Sequence, residues 1–579
     1  MTSRLVALIV ALSATAAPEA SREEAVRDVD KVVRLPPGRS LRVSNEHGEV
    51  AIRGGAGPDV AVRARIWVSA ATRAAAERYA DNVRVDLLED GEGVSLRTVY
   101  PDPGQDARDV SFSVDYDLTV PKAAPVSVRS RFGDVTAAGL EARVEVANSH
   151  GRIGLSDATG GGWLQNEFGI VEAERVSGTL SIANTNGAVS VTGAGGGLTV
   201  SNRFGDVTVR QAQAGVDVTV SNANVAVSEV SGPIRITDSF CLVLVSAVAG
   251  DLTVDSRNGR VEARGIGGKL AVSSIQGETT FADVGGAAVT SSEGRVSGTG
   301  ARGPVHVRNT GGAVSLRDVR GDVEVRNAGG PVSVQDVRGA VVVGNSLGDV
   351  EVTGVHGRAS VESSRGAILL RDVSGVARLQ GRHGRIEARN LGASLEVRGS
   401  NGDVSVAEVA GSVFVGTSFG LVQAERVGPL TVDSASAAVR ATSVKGDVAI
   451  RTSSGAVVLS GVEGRVNVAN ESGAVEVSDI ALKGPDGCHR IALATSFAPL
   501  KIVLPAGVGF DVNAKASLGK IRSGPPLSAA GAGDSLVGPV AGGGCEITLA
   551  NRNSDIILVT GNASARPRSA TVGPRSPTP

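Results

Sequence analysis

Residues 321–338 read GDVEVRNAGGPVSVQDVR, and this stretch decides the fold. Val323 and Val325 alternate with polar residues, a turn follows over 327–330, Val332 and Val334 alternate again, and Val337 stands just before the next turn at Gly339. Period-two alternation over so few residues marks short strands with one face inside. Glycine supplies the positive backbone φ that turns require.

The pattern returns every 18 residues. A glycine followed two residues later by an aliphatic side chain stands at Gly133, Gly151, Gly169, Gly187, Gly205, Gly259 and Gly277. After a one-residue slip it continues at Gly294, Gly312, Gly330, Gly348, Gly366, Gly384, Gly402 and Gly420, and after a second slip at Gly455 and Gly473. A unit this short cannot bury its apolar face alone and must stack on its neighbours. Counted from the turn glycine, the columns seven and five residues before it and two, four and seven after it are largely aliphatic. An 18-residue coil has no room for a helix, so each strand pairs with its equivalent one coil along. The predicted fold is all-β, a parallel β-solenoid (β-helix) with an 18-residue period, capped at both ends. At roughly 4.8 Å per paired strand, about 20 coils make a rod on the order of 100 Å long. The inward columns fit a three-sided section with one short face, or a flattened two-sheet form.

A polar column lies three residues before each glycine: Ser130, Asn148, Asn166, Asn184 and Asn202, then Ser256, Ser274, Ser291, Asn309, Asn327, Asn345 and Ser363, with Thr417, Ser434, Thr452 and Asn470 later. Such side chains can bond the turn backbone and their equivalents one coil away, an internal polar ladder. Each inward aliphatic side chain contributes roughly 1.5 to 3 kcal/mol when fully buried, which offsets the ordering entropy of a glycine-rich chain.

Composition narrows the function. The chain has 579 residues, 41% hydrophobic and only 3% aromatic, with 77 glycines, which suits an elongated aliphatic core. A formal charge of −2 with both signs interspersed excludes general nucleic-acid binding. Residues 1–17 carry Arg4, an apolar run at 5–12 and the small-residue exit Ala14, Thr15, Ala16, as expected of a secretory signal peptide. No other stretch is long and apolar enough to span a bilayer. The protein is therefore expected to be exported, to the periplasm, the outer cell surface or the medium. Of the three cysteines, Cys488 and Cys545 flank the C-terminal region and can pair in an oxidising compartment, or remain apart; Cys241 occupies a turn-glycine position and reads as unpaired.

Residues 28–125 read as a strand-rich N-terminal cap with one alanine-rich helix near 70–82, residues 126–480 as the repeats, and 481–562 as a C-terminal β cap. Residues 524–544 read as a flexible loop and 563–579 as a disordered Pro/Ser/Arg tail. Capped ends are needed because an open edge would pair with another molecule, and a monomer is expected.

The export signal, residues 116–129 (YDLTVPKAAPVSVR) and reiterated turns such as 130–135 (SRFGDV) resemble the bacterial putative-adhesin family of β-strand repeat proteins over roughly residues 40 to 560. The resemblance implies a cell-envelope or secreted β-solenoid and supplies no catalytic residues to carry over.

Among candidate sites, Phe132, His150, Phe168, Phe204 and Phe240 stand just before the turn position in successive early coils, with Asn186 between. In so aromatic-poor a chain this column reads as a surface stripe able to hold a sugar chain or a partner protein; the plainer reading is that each ring folds over its own turn or under the cap. Arg320, Gly321 and Asp322 spell a receptor tripeptide, which the repeat itself explains, since Gly-Asp recurs at the same position. The recurrent Asp134, Asp206, Asp322, Asp349 and Asp403 raise calcium, but the tandem calcium-binding repeat is absent from the sequence. The six histidines, at 47, 150, 306, 356, 383 and 489, fall on different columns, so no metal, cofactor or catalytic set is expected. The sequence thus points to a non-enzymatic, adhesin-like or scaffold protein of the envelope that binds polysaccharide or a cell-surface protein through repeated positions. The alternative is a purely structural spacer or self-assembling filament subunit.

Overall fold

A computed structural model of the protein describes residues 22–101, 110–485, 487–524 and 533–561. The expected signal peptide, the tail from 563 and part of the expected loop at 524–544 lie outside the described residues. The chain divides into two compact units, Met1–Thr237 and Asp238–Pro579. Each is a parallel β-solenoid.

In the first unit, strands Val144–His150, Gly162–Phe168, Leu180–Asn186 and Leu198–Phe204 pair in parallel, every residue on its equivalent 18 positions along. A second ladder runs through Ile153–Ala158, Val171–Val176, Val189–Ala194 and Val207–Ala212. The second unit repeats this with strands such as Val314–Val319, Val332–Val337 and Val350–Val355. All five aliphatic columns are buried: Val144, Val146, Ile153, Leu155 and Ala158 in one coil, Val323, Val325, Val332, Val334 and Val337 in another, each at 2% exposure or less.

The turn glycine is required twice over. Gly151 has φ +125, and a Cβ built on it would lie 2.3 Å from the carbonyl oxygen of Gly133 in the preceding coil. Stacked turns leave no room for a side chain. The polar ladder is buried beside them. Asn166 donates from Nδ2 to the Gly151 carbonyl at 2.9 Å, Asn202 to that of Gly187 at 3.0 Å, and Asn309 to that of Gly294 at 3.1 Å.

A second corner lies six residues after each turn glycine, in the left-handed region. Asp157, Arg175, Gln211 and Glu229 have φ between 51° and 58° in the first unit, and Asp318, Asp336, Asp372, Asn390, Glu408 and Arg426 between 51° and 59° in the second. This kink swings the following residue, such as Ala158 or Val337, onto a short third face of the core. Asp and Asn tolerate the conformation because their short side chains bond locally. The Arg and Glu at this corner instead pair along it, as Asp157–Arg175 at 2.6 Å and Glu408–Arg426 at 2.7 Å. Both one-residue slips fall at the corner that follows. Between Ile266 and Leu270 there are three residues, but between Val284 and Ala287, one coil along, only two. The same shortening separates 409–413 from 427–430. Removing a corner residue leaves the inward columns aligned.

In each unit the outermost coils are taken out of chain order. In the first unit, Ser40–His47 and Val50–Gly55 stack between the coil of Val126–Phe132 and Val135–Ala138 and the strands Gly93–Val99 and Ser111–Pro121. Strand Asp59–Ala70 then runs antiparallel to Ser111–Pro121, and Glu23–Arg34 antiparallel to it in turn. The helix Arg73–Asn82, capped by the Thr72 hydroxyl accepting from the Ala75 N–H, packs on these two strands. In the second unit, Cys545–Asn551 and Ile556–Thr560 stack between the coil of Ile491–Thr495 and Leu500–Leu504 and the outermost strands Phe510–Ala516 and Ile521–Gly524. Ser535–Val540, within the segment expected to be a loop, is instead a strand antiparallel to Phe510–Ala516. It covers an edge that the parallel stack leaves unpaired, a tertiary requirement invisible in local composition. Cys488 and Cys545 are joined by a disulfide that ties the hairpin of Lys483–Gly484 and Gly487–Cys488 to this cap.

Replacing Val332, which is 1% exposed, by Asp buries an unpaired charge and should cost about 4 kcal/mol locally. Hydrogen exchange should accelerate in the strands paired with it, Val314–Val319 and Val350–Val355, and stay protected at Val457–Val462. Removing the disulfide as the Cys488→Ser/Cys545→Ser pair opens a 57-residue loop and should lower the stability of the C-terminal cap by about 4 kcal/mol. Denaturant titration of exchange in Ile547 and Leu549 measures it.

Candidate aromatic surface site

The aromatic column of the first unit is a stack of rings. Parallel register sets His47 on Phe132, Phe132 on His150, His150 on Phe168, Phe168 on Asn186 and Asn186 on Phe204. His47 and Phe132 stack at 5.1 Å between centroids and 7° between planes, Phe132 and His150 at 4.9 Å and 29°, His150 and Phe168 at 4.8 Å and 17°. The strand spacing sets the ring spacing. Rings so arranged cover one another's faces and turn their edges to solvent: Phe132 is 36% exposed and Phe168 47%, while Phe204, beyond Asn186 and outside the stack, is 44% exposed. Arg131 lies over Phe132 at 5.4 Å from its centroid, a cation–π contact of the kind aromatic faces favour.

His47 is the rung that sequence reasoning missed. It belongs to the cap coil that folds back beneath Phe132, and there it meets Phe112 edge-on at 4.9 Å and Tyr100 at 5.9 Å, with Tyr79 packed on Phe112. Burial first, helped by the Arg131 charge and opposed by that of Glu46, holds His47 below the ordinary histidine range, so it is neutral near pH 7. Tyr100 donates to Asn45 Oδ1 at 3.0 Å and accepts the His47 backbone N–H at 3.2 Å, and burial pushes its hydroxyl up to about 12. The cap therefore grips the first rung while the later rungs remain open to solvent. Phe240, in the second unit, is 64% exposed with φ 61°.

Other candidate groups have structural work. The recurrent aspartates cap the next coil: Asp134 accepts from the Arg152 backbone N–H at 2.8 Å, Asp206 from Asn224 at 3.1 Å, Asp349 from Ala367 at 2.8 Å and Asp403 from Leu421 at 2.9 Å. Asp322 does the same for Ala340 at 2.8 Å, so the carboxylate of the Arg-Gly-Asp sequence is engaged within the coil stack. Among the described residues no group of three or more His, Cys, Asp or Glu comes together as a metal-binding set, and no helix is long and apolar enough to cross a membrane. A groove of about 750 Å³ runs along the left-handed corner of the second unit past Glu408, Arg426, Ser443, Lys445 and Glu463. Its walls carry both charges and no aromatic ring.

One rung of the polar ladder is ionisable. Asp238 stands three residues before Cys241, where other coils have Asn, Ser or Thr, mostly before a glycine; the missing glycine hid it in the sequence. It is 3% exposed, accepts from Ser256 Oγ at 3.0 Å through Oδ1, and has no partner for Oδ2. Burial raises its carboxyl to about 6, the Ser256 bond opposing. Cys241, also buried, donates to the Ser239 carbonyl at 3.1 Å.

No protein-family model matches the chain, and no curated protein matches it. Among solved structures, one described as a putative cell adhesion protein from Clostridium sporogenes aligns at 11% identity over 37% of this chain and 100% of its own, with a TM-score of 0.19.

Because the folded state holds the Asp238 proton to higher pH than the unfolded chain does, the contribution of this group to stability is fully present below about pH 4 and is lost as pH rises through about 6. Asp238→Asn, which restores the ladder chemistry of the other coils, should abolish that fall. It should raise local stability at pH 7 by about 3 kcal/mol with no gain at pH 3.5, read by hydrogen exchange in Leu242–Val248 and Leu252–Arg257.

Proposed function

We propose that this is a non-enzymatic, exported β-solenoid of the cell envelope that works as an adhesive scaffold, binding polysaccharide or a cell-surface protein weakly at repeated positions. The observation that carries the reading is the solvent-edged aromatic column at Phe132, His150, Phe168 and Phe204. Stacking accounts for the ring contacts of Phe132 and Phe168 but not for three phenylalanines more than a third exposed, and aromatic edges aligned at coil spacing suit a surface that binds. Repetition converts weak single contacts into avidity.

Two further features support the reading. The Cys488–Cys545 disulfide fits an oxidising compartment and hence export. The carboxylates that recur through the coils are engaged with backbone N–H groups, which favours a binding surface over catalysis. The antiparallel strands beside the outermost coils of each unit favour a capped coil stack over one that lengthens by strand pairing.

Beads coated with the full chain should be retained on polysaccharide- or cell-coated surfaces. The triple variant Phe132→Ala/Phe168→Ala/Phe204→Ala should cut retention at least tenfold with an unchanged circular dichroism spectrum. Equal retention of the variant would remove the aromatic column from the account.

A further inference from the structure

The ring ladder has one missing rung. Register places Asn186 between Phe168 and Phe204, so the two phenylalanines sit two strand spacings apart, roughly 9.6 Å. Phe168 lies flat on His150 on one side, 17° between planes, and has Asn186 in place of a ring on the other. The Asn186 side chain leans back to the Glu167 carbonyl at 3.3 Å. Resting on the adhesive reading above, we propose that Phe168 and Phe204 are the two walls of a slot for one pyranose ring of a glycan chain, with Asn186 as its floor.

Thickness selects the ligand. A ring at the level of Asn186 would lie one coil spacing, roughly 4.8 Å, from each wall. A pyranose carrying axial C–H bonds on both faces fills the space. That condition holds only for sugars whose substituents are all equatorial, such as β-linked glucose or N-acetylglucosamine; an axial hydroxyl, as in mannose, would press a polar group on a ring face. Equatorial glycosidic bonds let the rest of the chain leave sideways, across the column. The polar partners are already present. Glu167, Thr185 and Arg203 precede the three column residues, and neither the Glu167 carboxylate nor the Arg203 guanidinium has a hydrogen bond or ion pair among the described residues.

Isothermal titration of the full chain with chitohexaose, cellohexaose and β-mannohexaose tests the slot. One or both all-equatorial hexamers should bind at least tenfold tighter than mannohexaose. Phe168→Ala and Phe204→Ala should each weaken binding at least tenfold, and Asn186→Phe, which fills the vacant rung with the residue its neighbours carry, should abolish it. Phe497→Ala, an exposed ring of the second unit outside the column, should leave it unchanged. Absence of binding by the wild type, equal affinity for mannohexaose, or full binding by Asn186→Phe would overturn the proposal. Hexamer binding without bead retention would keep the slot and refute the adhesive reading; retention without hexamer binding would do the reverse.

Discussion

Every feature of this protein depends on the backbone hydrogen bonds that tie each strand to the same strand one coil along. That ladder fixes register at 18 residues, and register dictates which side chain lies on which. Parallel pairing of short strands gives no stability in isolation. It succeeds here because the inward residues form unbroken aliphatic columns, so each coil provides the surface that its neighbour must bury. A sheet register is pinned only where one face is buried, and here a shift by one residue would expose every valine of the coil.

Like above like has costs as well as benefits. The ladder asparagines each spend one amide group on a neighbouring glycine carbonyl and leave Oδ1 without a partner at Asn148, Asn166, Asn184, Asn309 and Asn327. A carboxylate in the same column, Asp238, meets the same constraint with a charge. On the surface, stacking turns single rings into a ladder whose spacing is the spacing of the strands, and the position without a ring becomes a gap of defined width. The corner residues show the tolerance of the design: a kink in the left-handed region accepts Asp, Asn, Gly, Arg or Glu, and a corner can lose a residue without disturbing the core.

Much of this was legible in the sequence. Residues 321–338 reveal alternation and turn together, and repetition multiplies a weak local signal into an unambiguous one. The polar ladder and the aromatic column were readable for the same reason. What escaped had no repeat to announce it. His47 joins the ring stack from a coil 85 positions earlier in the chain than Phe132, and the inversion of coil order in each unit is a choice among pairings that local pattern leaves degenerate. Ser535–Val540 is a strand only because an edge beside it needs covering. The left-handed corner did leave a trace, in the Asp, Asn and Gly that recur six residues after the turn glycine, but Arg175, Glu408 and Arg426 obscure it.

The central claim is parallel, in-register stacking at 18 residues, and spin labels test it most directly. In a Cys241→Ser background, nitroxides at Ser297, Ser315 and Ser333, which the structure stacks on three successive coils, should lie within roughly 5 Å of one another per step and give the collapsed, exchange-narrowed spectrum of contacting labels. Three sharp lines without dipolar broadening would mean that these serines are far apart, and would contradict the solenoid.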